Sequence, residues 1–207
     1  MRLALLADEK QFGEIMKCGI SPELEIIRIT EPAIVEDADL YMDLQFDNHP
    51  DRNKSWEVIS PSLLLIGAVE FQIENPGYPF ILINSWPGFI EREILEAAGS
   101  EDLKEKAGEI AALLHRKLEW VKPVAGLVSA RVVSMIINEA FFTLDEGVTD
   151  EISIDTAMKL GTNYPLGPFE WAEKIGLLRI CTLLDLLAEK EDRYRPAELL
   201  RRRARAL

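Results

Sequence analysis

At Lys122-Pro123-Val124-Ala125-Gly126 the hydrophobic rhythm of the chain changes, and this break constrains the fold more than any other feature. Before it, short apolar runs alternate with amphipathic segments, the pattern of an α/β sheet covered by helices. The runs predict strands at Arg2–Ala7, Leu24–Thr30, Asp39–Phe46, Ser62–Val69, Phe80–Ser85 and Leu118–Lys122. Ser100-Glu101-Asp102 reads as a capped acidic helix start. It is followed by Leu103, Ala107, Ile110, Ala111, Leu114 and Leu118 at helical spacing. After the break, apolar residues of Leu127–Leu144 point in nearly every direction, so most of that helix must be covered by protein. A Ser153 N-cap and a Gly161 stop bracket the next predicted helix. Pro168 and Gly176 bracket another, and Leu177–Glu189 supplies a last one. Pro and Gly punctuate the junction itself, so the expected domains are 1–124 and 125–207.

Size and charge narrow the classes of partner. With 207 residues, 48% hydrophobic and 29% charged, the chain can bury one or two cores. A net charge of −13 repels nucleic acid and anionic membrane surfaces, so neither is expected as a partner. The run Arg201-Arg202-Arg203-Ala204-Arg205 reads as a solvated helix end. Cys18 and Cys181 match no metal-ligand spacing and suggest unpaired core thiols in a reducing compartment. Only five apolar residues, Leu3 to Ala7, follow Arg2, too few for a signal-peptide core or a membrane span. A cytoplasmic location is the expectation.

Within Gly126–Gly176, an ordered set of residues looks like a signature. It comprises Glu139-Ala140, Gly147, Ile154-Asp155-Thr156-Ala157-Met158-Lys159-Leu160-Gly161, Tyr164-Pro165, Gly167-Pro168, Glu170 and Ile175-Gly176. This set resembles the helical C-terminal domain of the 3-hydroxyacyl-CoA dehydrogenases. The resemblance implies a degenerate, shortened Rossmann-like α/β domain followed by an all-α dimerisation domain of that type. It also implies NAD as cofactor and an acyl-CoA or small hydroxy acid as ligand. For Phe89–Ala98, composition permits a helix, whereas the resemblance places a strand there.

The same resemblance shows what is missing. The family's first strand runs into a glycine fingerprint that lets backbone approach a pyrophosphate. Here Leu3–Ala7 runs into Asp8-Glu9-Lys10-Gln11-Phe12-Gly13, with two carboxylates where two phosphates should sit. Glu31, ending the second strand, is the one candidate for the ribose-binding acid. Matching the ends of Phe80–Gly99 puts Asn84 at the position of the catalytic histidine and Glu96 at that of its glutamate partner. The amide of Asn84 cannot take up a proton near neutral pH. Ala130 before Arg131 and Ile66-Gly67-Ala68-Val69 replace the family's polar helpers. His49 and His115 fall away from the expected site and read as surface residues.

Trp86-Pro87-Gly88-Phe89 has no family counterpart, and its aromatics either line a pocket or fill the vacated space as core. No metal-ligand cluster or nucleophile elbow is visible. The combined expectation is a pseudoenzyme of fatty-acid or acyl-CoA metabolism, acting as a binding or structural protein. The alternative is an active oxidoreductase with a site rebuilt around Glu96. A homodimer is expected through the helical domain, with Val128, Val132, Met135, Ile136, Ile137, Phe141 and Phe142 of the long helix at or beside the contact. Burial of that helix inside its own domain is the competing explanation.

Overall fold

The structure is a computed structural model that describes residues 1–49, 51–73 and 76–206, without the side chain of Asn48. The chain divides into two compact units, Met1–Leu127 and Val128–Leu207. The boundary lies three residues beyond the expected division at 124/125, for a local reason. Gly126 donates its N–H to the Val69 carbonyl (2.9 Å), and Leu127 is buried in the core of the first unit.

The first unit is a seven-stranded sheet in the order β2-β1-β3-β4-β5-β6-β7. Its strands are β1 (Arg2–Leu6), β2 (Glu25–Ile29), β3 (Leu40–Asp43), β4 (Leu64–Ile66), β5 (Phe80–Ile83), β6 (Ile94–Gly99) and β7 (Lys117–Val121). The first five are parallel, β6 runs antiparallel to β5, and β7 is parallel to β6. Strands β3 and β4 are buried along their whole lengths, as parallel strands covered on both faces must be. The edge strands β2 and β7 are part-exposed. Leu3, Leu5, Met42, Leu65, Ile81 and Ile83 pack on one side of the sheet. Ala4, Leu6, Tyr41, Leu64, Ile66 and Trp56 pack on the other, in step with the two-residue repeat of a strand.

The strand at β6 settles the ambiguous segment. Leu95 to Ala98 are buried between two hydrogen-bonded neighbours, and this pairing overrides a composition that permits a helix. Two short helices, α1 (Glu9–Met16) and α2 (Arg52–Ile59), are too brief for periodicity to have marked them. The acidic start at Ser100 forms a 3-10 turn over Glu101–Leu103, and α3 follows at Lys104–Leu113. Ser100 itself makes no capping bond through its side chain.

Buried Arg116 links three parts of this unit. Its guanidinium donates to the carbonyls of Glu14, Ile15, Ile90 and Leu114 at 2.7–3.1 Å. Glu14 and Ile15 lie in the last turn of α1, so the charge sits against a helix C-terminus, where the helix dipole favours a cation.

The second unit contains α4 (Ser129–Asp145), α5 (Glu151–Thr162), α6 (Pro168–Ile175), α7 (Leu177–Ala188) and α8 (Glu198–Ala204). The predicted caps of α5 are corrected. Asp150 is its N-cap, accepting from the Ser153 N–H (2.8 Å), and Asn163 ends it with φ +57°. Gly161 lies inside the helix. A carboxylate three residues earlier caps better placed donors than Ser153 could, and Asn tolerates the left-handed conformation. The α8 arginines are paired within the unit: Arg201 with Asp185, Arg202 with Asp145 and Arg203 with Glu151.

The long helix α4 is divided between two environments. Ala130, Ser134, Ile137, Asn138, Ala140 and Phe141 are buried in its own unit, where the Phe141 ring meets that of Phe169 at 5.0 Å between centroids. Val128, Val132 and Phe142 are 53%, 48% and 39% exposed. Ile137 and Phe141 therefore belong to the core of the unit and not to an outer contact. Helix periodicity turns them away from the Val132 side.

Candidate active site

In open α/β sheets, ligands bind beyond the carboxyl ends of the strands where the strand order reverses. Here the reversal lies between β1 and β3. The sequence there builds a closed junction. Asp8 accepts the Gln11 N–H (2.8 Å), and the Gln11 side-chain oxygen accepts the Asp8 N–H (3.0 Å), a capping box. The amide nitrogen of Gln11 then donates to the Leu44 carbonyl (2.7 Å), just past β3. Gln11 is only 8% exposed. Glu9 points elsewhere and pairs with Arg28 at 2.8 Å. Glu31 is exposed just beyond the end of β2.

Two further loops follow the same principle. Asp47 accepts the N–H groups of Val69 (2.8 Å) and Glu70 (3.1 Å), the loop that follows β4. Glu14 accepts the Gly88 N–H at 3.1 Å from both oxygens. Backbone donors at three loops are thus satisfied by carboxylates of the chain itself. Asp43, fully buried at the end of β3, accepts from Trp56 Nε1 (3.0 Å), Gln45 N (2.9 Å) and Arg52 Nη1 (3.2 Å). Burial pushes its carboxyl above the usual range, while these donors oppose the shift.

Asn84 and Glu96 are brought together. The antiparallel register of β5 and β6 sets Ile83 opposite Ala97, so the next pair is Asn84 and Glu96; the Asn84 N–H donates to the Glu96 carbonyl (3.2 Å). Asn84 Nδ2 also lies 3.4 Å from Glu96 Oε2, and Asn84 Oδ1 accepts the Trp86 N–H (3.2 Å). Both residues are buried, at 3% and 8% exposure. A neutral amide oriented by a carboxylate can hold a hydrogen bond but cannot relay a proton.

Trp86 and Phe89 are core. They are 0% and 5% exposed, with the Trp86 indole donating to Glu70 (2.8 Å) and the Arg92 guanidinium 4.1 Å from the centre of the Phe89 ring. Close packing extends to Gly67, where a Cβ would stand 2.4 Å from Ser85 Oγ. His49 and His115 are exposed. Among the described residues, no group of three or more His, Cys, Asp or Glu side chains could hold a metal ion. Among the same residues, no helix is long and apolar enough to cross a membrane.

In the helical unit the signature residues form a capping device that local sequence rules do not reveal. Gly167 is the N-cap of α6 and has no side chain to offer. Buried Asp155, reaching from α5, accepts the N–H groups of Phe169 (2.8 Å) and Glu170 (3.2 Å) in its place. A Cβ at Gly167 would stand 2.3 Å from the Asp155 carboxyl carbon, so glycine is what admits the carboxylate. Glu170 accepts the Gly167 N–H (2.8 Å) and pairs with Lys159. The Lys159 hydrogen bond, with the backbone donor, holds the Glu170 carboxyl below its ordinary range. Asn138, buried on α4, accepts the Ala197 N–H (2.8 Å) and donates to the Arg195 carbonyl (3.1 Å), fastening the approach to α8.

The sheet order and the helices define a protein of two units, a Rossmann-like sheet followed by an all-α unit. Residues 126–207 match the family described as 3-hydroxyacyl-CoA dehydrogenase, C-terminal domain. The match is confined to that helical part of the chain, which is similar to the C-terminal domain of the 3-hydroxyacyl-CoA dehydrogenases. It is 38% identical over 128 residues to the 3-hydroxyadipyl-CoA dehydrogenase of Escherichia coli K12, covering 61% of this chain and 27% of that protein. It is 34% identical over 111 residues to the 3-hydroxybutyryl-CoA dehydrogenase of Bradyrhizobium diazoefficiens, covering 52% and 38%. The chain thus matches well under half the length of either curated relative. Among solved structures, (S)-3-hydroxybutyryl-CoA dehydrogenase from Ralstonia eutropha superposes with a TM-score of 0.78 at 19% identity, over 99% of this chain and 93% of that one, a likeness of fold. A 3-hydroxybutyryl-CoA dehydrogenase from Escherichia coli K12 gives 0.60 at 33% identity, over 70% and 32%.

Proposed function

We propose that this chain is a member of the family that has given up NAD-dependent hydride transfer and acts as a binding or structural homodimer in fatty-acid or acyl-CoA metabolism. The observation carrying this reading is the Asp8–Gln11–Leu44 closure of the strand-order reversal. A pyrophosphate there would have to displace an anionic cap that already accepts the Gln11 N–H, and the two negative charges would repel. The loss of the base supports the same conclusion, because Asn84 can position a substrate oxygen but cannot accept its proton. A ligand of the acyl-CoA or small hydroxy-acid class is retained from the relatives' substrates.

Calorimetric titration with NAD, together with NADH formation from 3-hydroxybutyryl-CoA, tests the reading. The expected result is neither tight binding nor turnover. Low-micromolar NAD affinity with turnover in the ordinary range of roughly 1–1000 per second would overturn it. That result would favour the second reading, an oxidoreductase rebuilt around Glu96, whose buried carboxylate remains beside Asn84.

A further inference from the structure

The turn that leaves α1 meets the turn between α3 and β7, and the cavity there, of about 450 Å³, is lined by Lys17, Cys18, Glu93, His115, Arg116 and Lys117. The Ser21 N–H donates to the Leu113 carbonyl (2.8 Å), which ties the two turns together. The His115 ring lies against Gly19, next in the chain to Cys18: a Cβ at Gly19 would stand 3.3 Å from Nδ1. Cys18 is half-buried, and its Sγ makes a long S–H contact, 3.5 Å, to the Glu91 carbonyl. The charges around it are mostly positive. The guanidinium of Arg116, 6% exposed, donates to carbonyl groups, and neither it nor the Lys117 ammonium is ion-paired among the described residues. Lys17 pairs with Glu91 at 2.5 Å, and Glu93 supplies the carboxylate of the lining. A buried charge met only by dipoles favours a negative group beside it. Burial pulls Arg116 below its ordinary range, and a charge on Cys18 opposes that shift.

We propose that Cys18 is a site of reversible modification by small disulfides that carry carboxylates, with Lys17, His115 and Lys117 holding the anionic half that stays. The step is a thiol–disulfide exchange. Cys18 Sγ, as thiolate, attacks one sulfur of the small disulfide. The new S–S bond forms as the original one breaks, and the released sulfur leaves with the bonding pair and takes up a proton in place of the one Sγ gave to solvent. Cys18 is oxidised and the released thiol is reduced, so the small disulfide is the only reagent consumed. The cavity supplies room for the adduct, and its cations select the charge that the adduct carries. The site lies past the C-terminal end of α1, whereas the strand-order reversal lies at the N-terminal end, so the inference stands apart from the reading above.

Intact mass and peptide mapping of the native full chain test the assignment, with oxidised glutathione as the anionic probe and cystamine as the cationic one. Each rate is taken relative to that of a free cysteine, which removes the intrinsic reactivity of the probe. The chain as a whole carries −13 and would favour cystamine, whereas the cations around the cavity favour oxidised glutathione. One adduct is expected, on Cys18, formed about tenfold faster with oxidised glutathione than with cystamine at low salt, an advantage that shrinks as salt is raised. A thiol reductant should remove it. Lys117→Glu, at an exposed position, is expected to cancel the preference with circular dichroism unchanged. Cystamine reacting as fast or faster with the wild-type protein overturns the proposal, and so does the absence of a glutathione adduct or its appearance on Cys181 first. The wild-type rates decide the question by themselves should the variant fold poorly.

Discussion

The two units differ in what they share with their relatives. The helical unit carries a dense set of signature residues, and several of them act as caps: Asp155, Gly167, Lys159 and Glu170 form one connected device at the start of α6. The sheet unit shares the fold, and its loop donors are satisfied by Asp8, Glu14 and Asp47. A sequence signature can therefore mark a way of fastening helices, while the chemistry associated with the same family depends on residues elsewhere.

The widest gap between the two possible outcomes concerns the sheet unit, at the position beside Glu96. Asn84→His places an imidazole beside Glu96. On the proposed reading, turnover of 3-hydroxybutyryl-CoA, followed by NADH absorbance, is still expected at background, because Asp8 and Gln11 occupy the turn after β1. A rise of about a thousandfold over the parent would mean that the missing base was the only barrier.

Stability then measures the helical device against its counterpart in the sheet. Gly167→Ala forces a methyl into the Asp155 carboxylate and is expected to cost about 3 kcal/mol in denaturant unfolding. Asp155→Ala leaves the α6 N–H groups without their acceptor, at about 2 kcal/mol. Asp8→Ala, which removes the exposed cap of α1, is expected to cost about 1 kcal/mol. An Asp8 effect larger than that of Asp155 would reverse the comparison.

The pH dependence distinguishes the units more gently. Glu170 and Asp150 are both held below the ordinary carboxylate range, the first by Lys159 and the second by the backbone N–H of Ser153. A depressed folded-state value adds stability that is fully present above the unfolded value of about 4 and lost as pH falls through the lower folded one. Unfolding of the helical unit, followed by circular dichroism, should become easier as pH drops below about 4, and Lys159→Met should flatten that slope. The smallest effect is chemical. Burial raises the Cys181 thiol to about 11, leaving it protonated at neutral pH, so a thiol reagent should label half-buried Cys18 first in the native protein.

Much of this architecture is visible along the chain. Parallel strands read as short apolar runs because both faces are covered, and Pro168 and Gly176 bracket α6 because each has a backbone preference suited to its place. The twelve-residue interval between Asn84 and Glu96 could be matched by resemblance, but the β5–β6 register supplies its physical meaning. Less visible were the caps and faces. Asp150 displaced Ser153 as the start of α5, and Ile137 and Phe141 turned inward, although Val132 and Phe142 are equally apolar in sequence.

The sequence by itself determined the division into a sheet unit and a helical unit, the resemblance of the second to a known family, and the want of a glycine run after the first strand. These depend on residue type and spacing along the chain. Only the tertiary structure decided that Gln11 reaches Leu44, that Asp155 caps a helix fourteen residues away, that Trp86 and Phe89 are core, and which side of α4 faces outward. Each of those outcomes depends on what the fold brings opposite a side chain, and hydrogen bonding and burial respond to that neighbour whatever its distance in sequence.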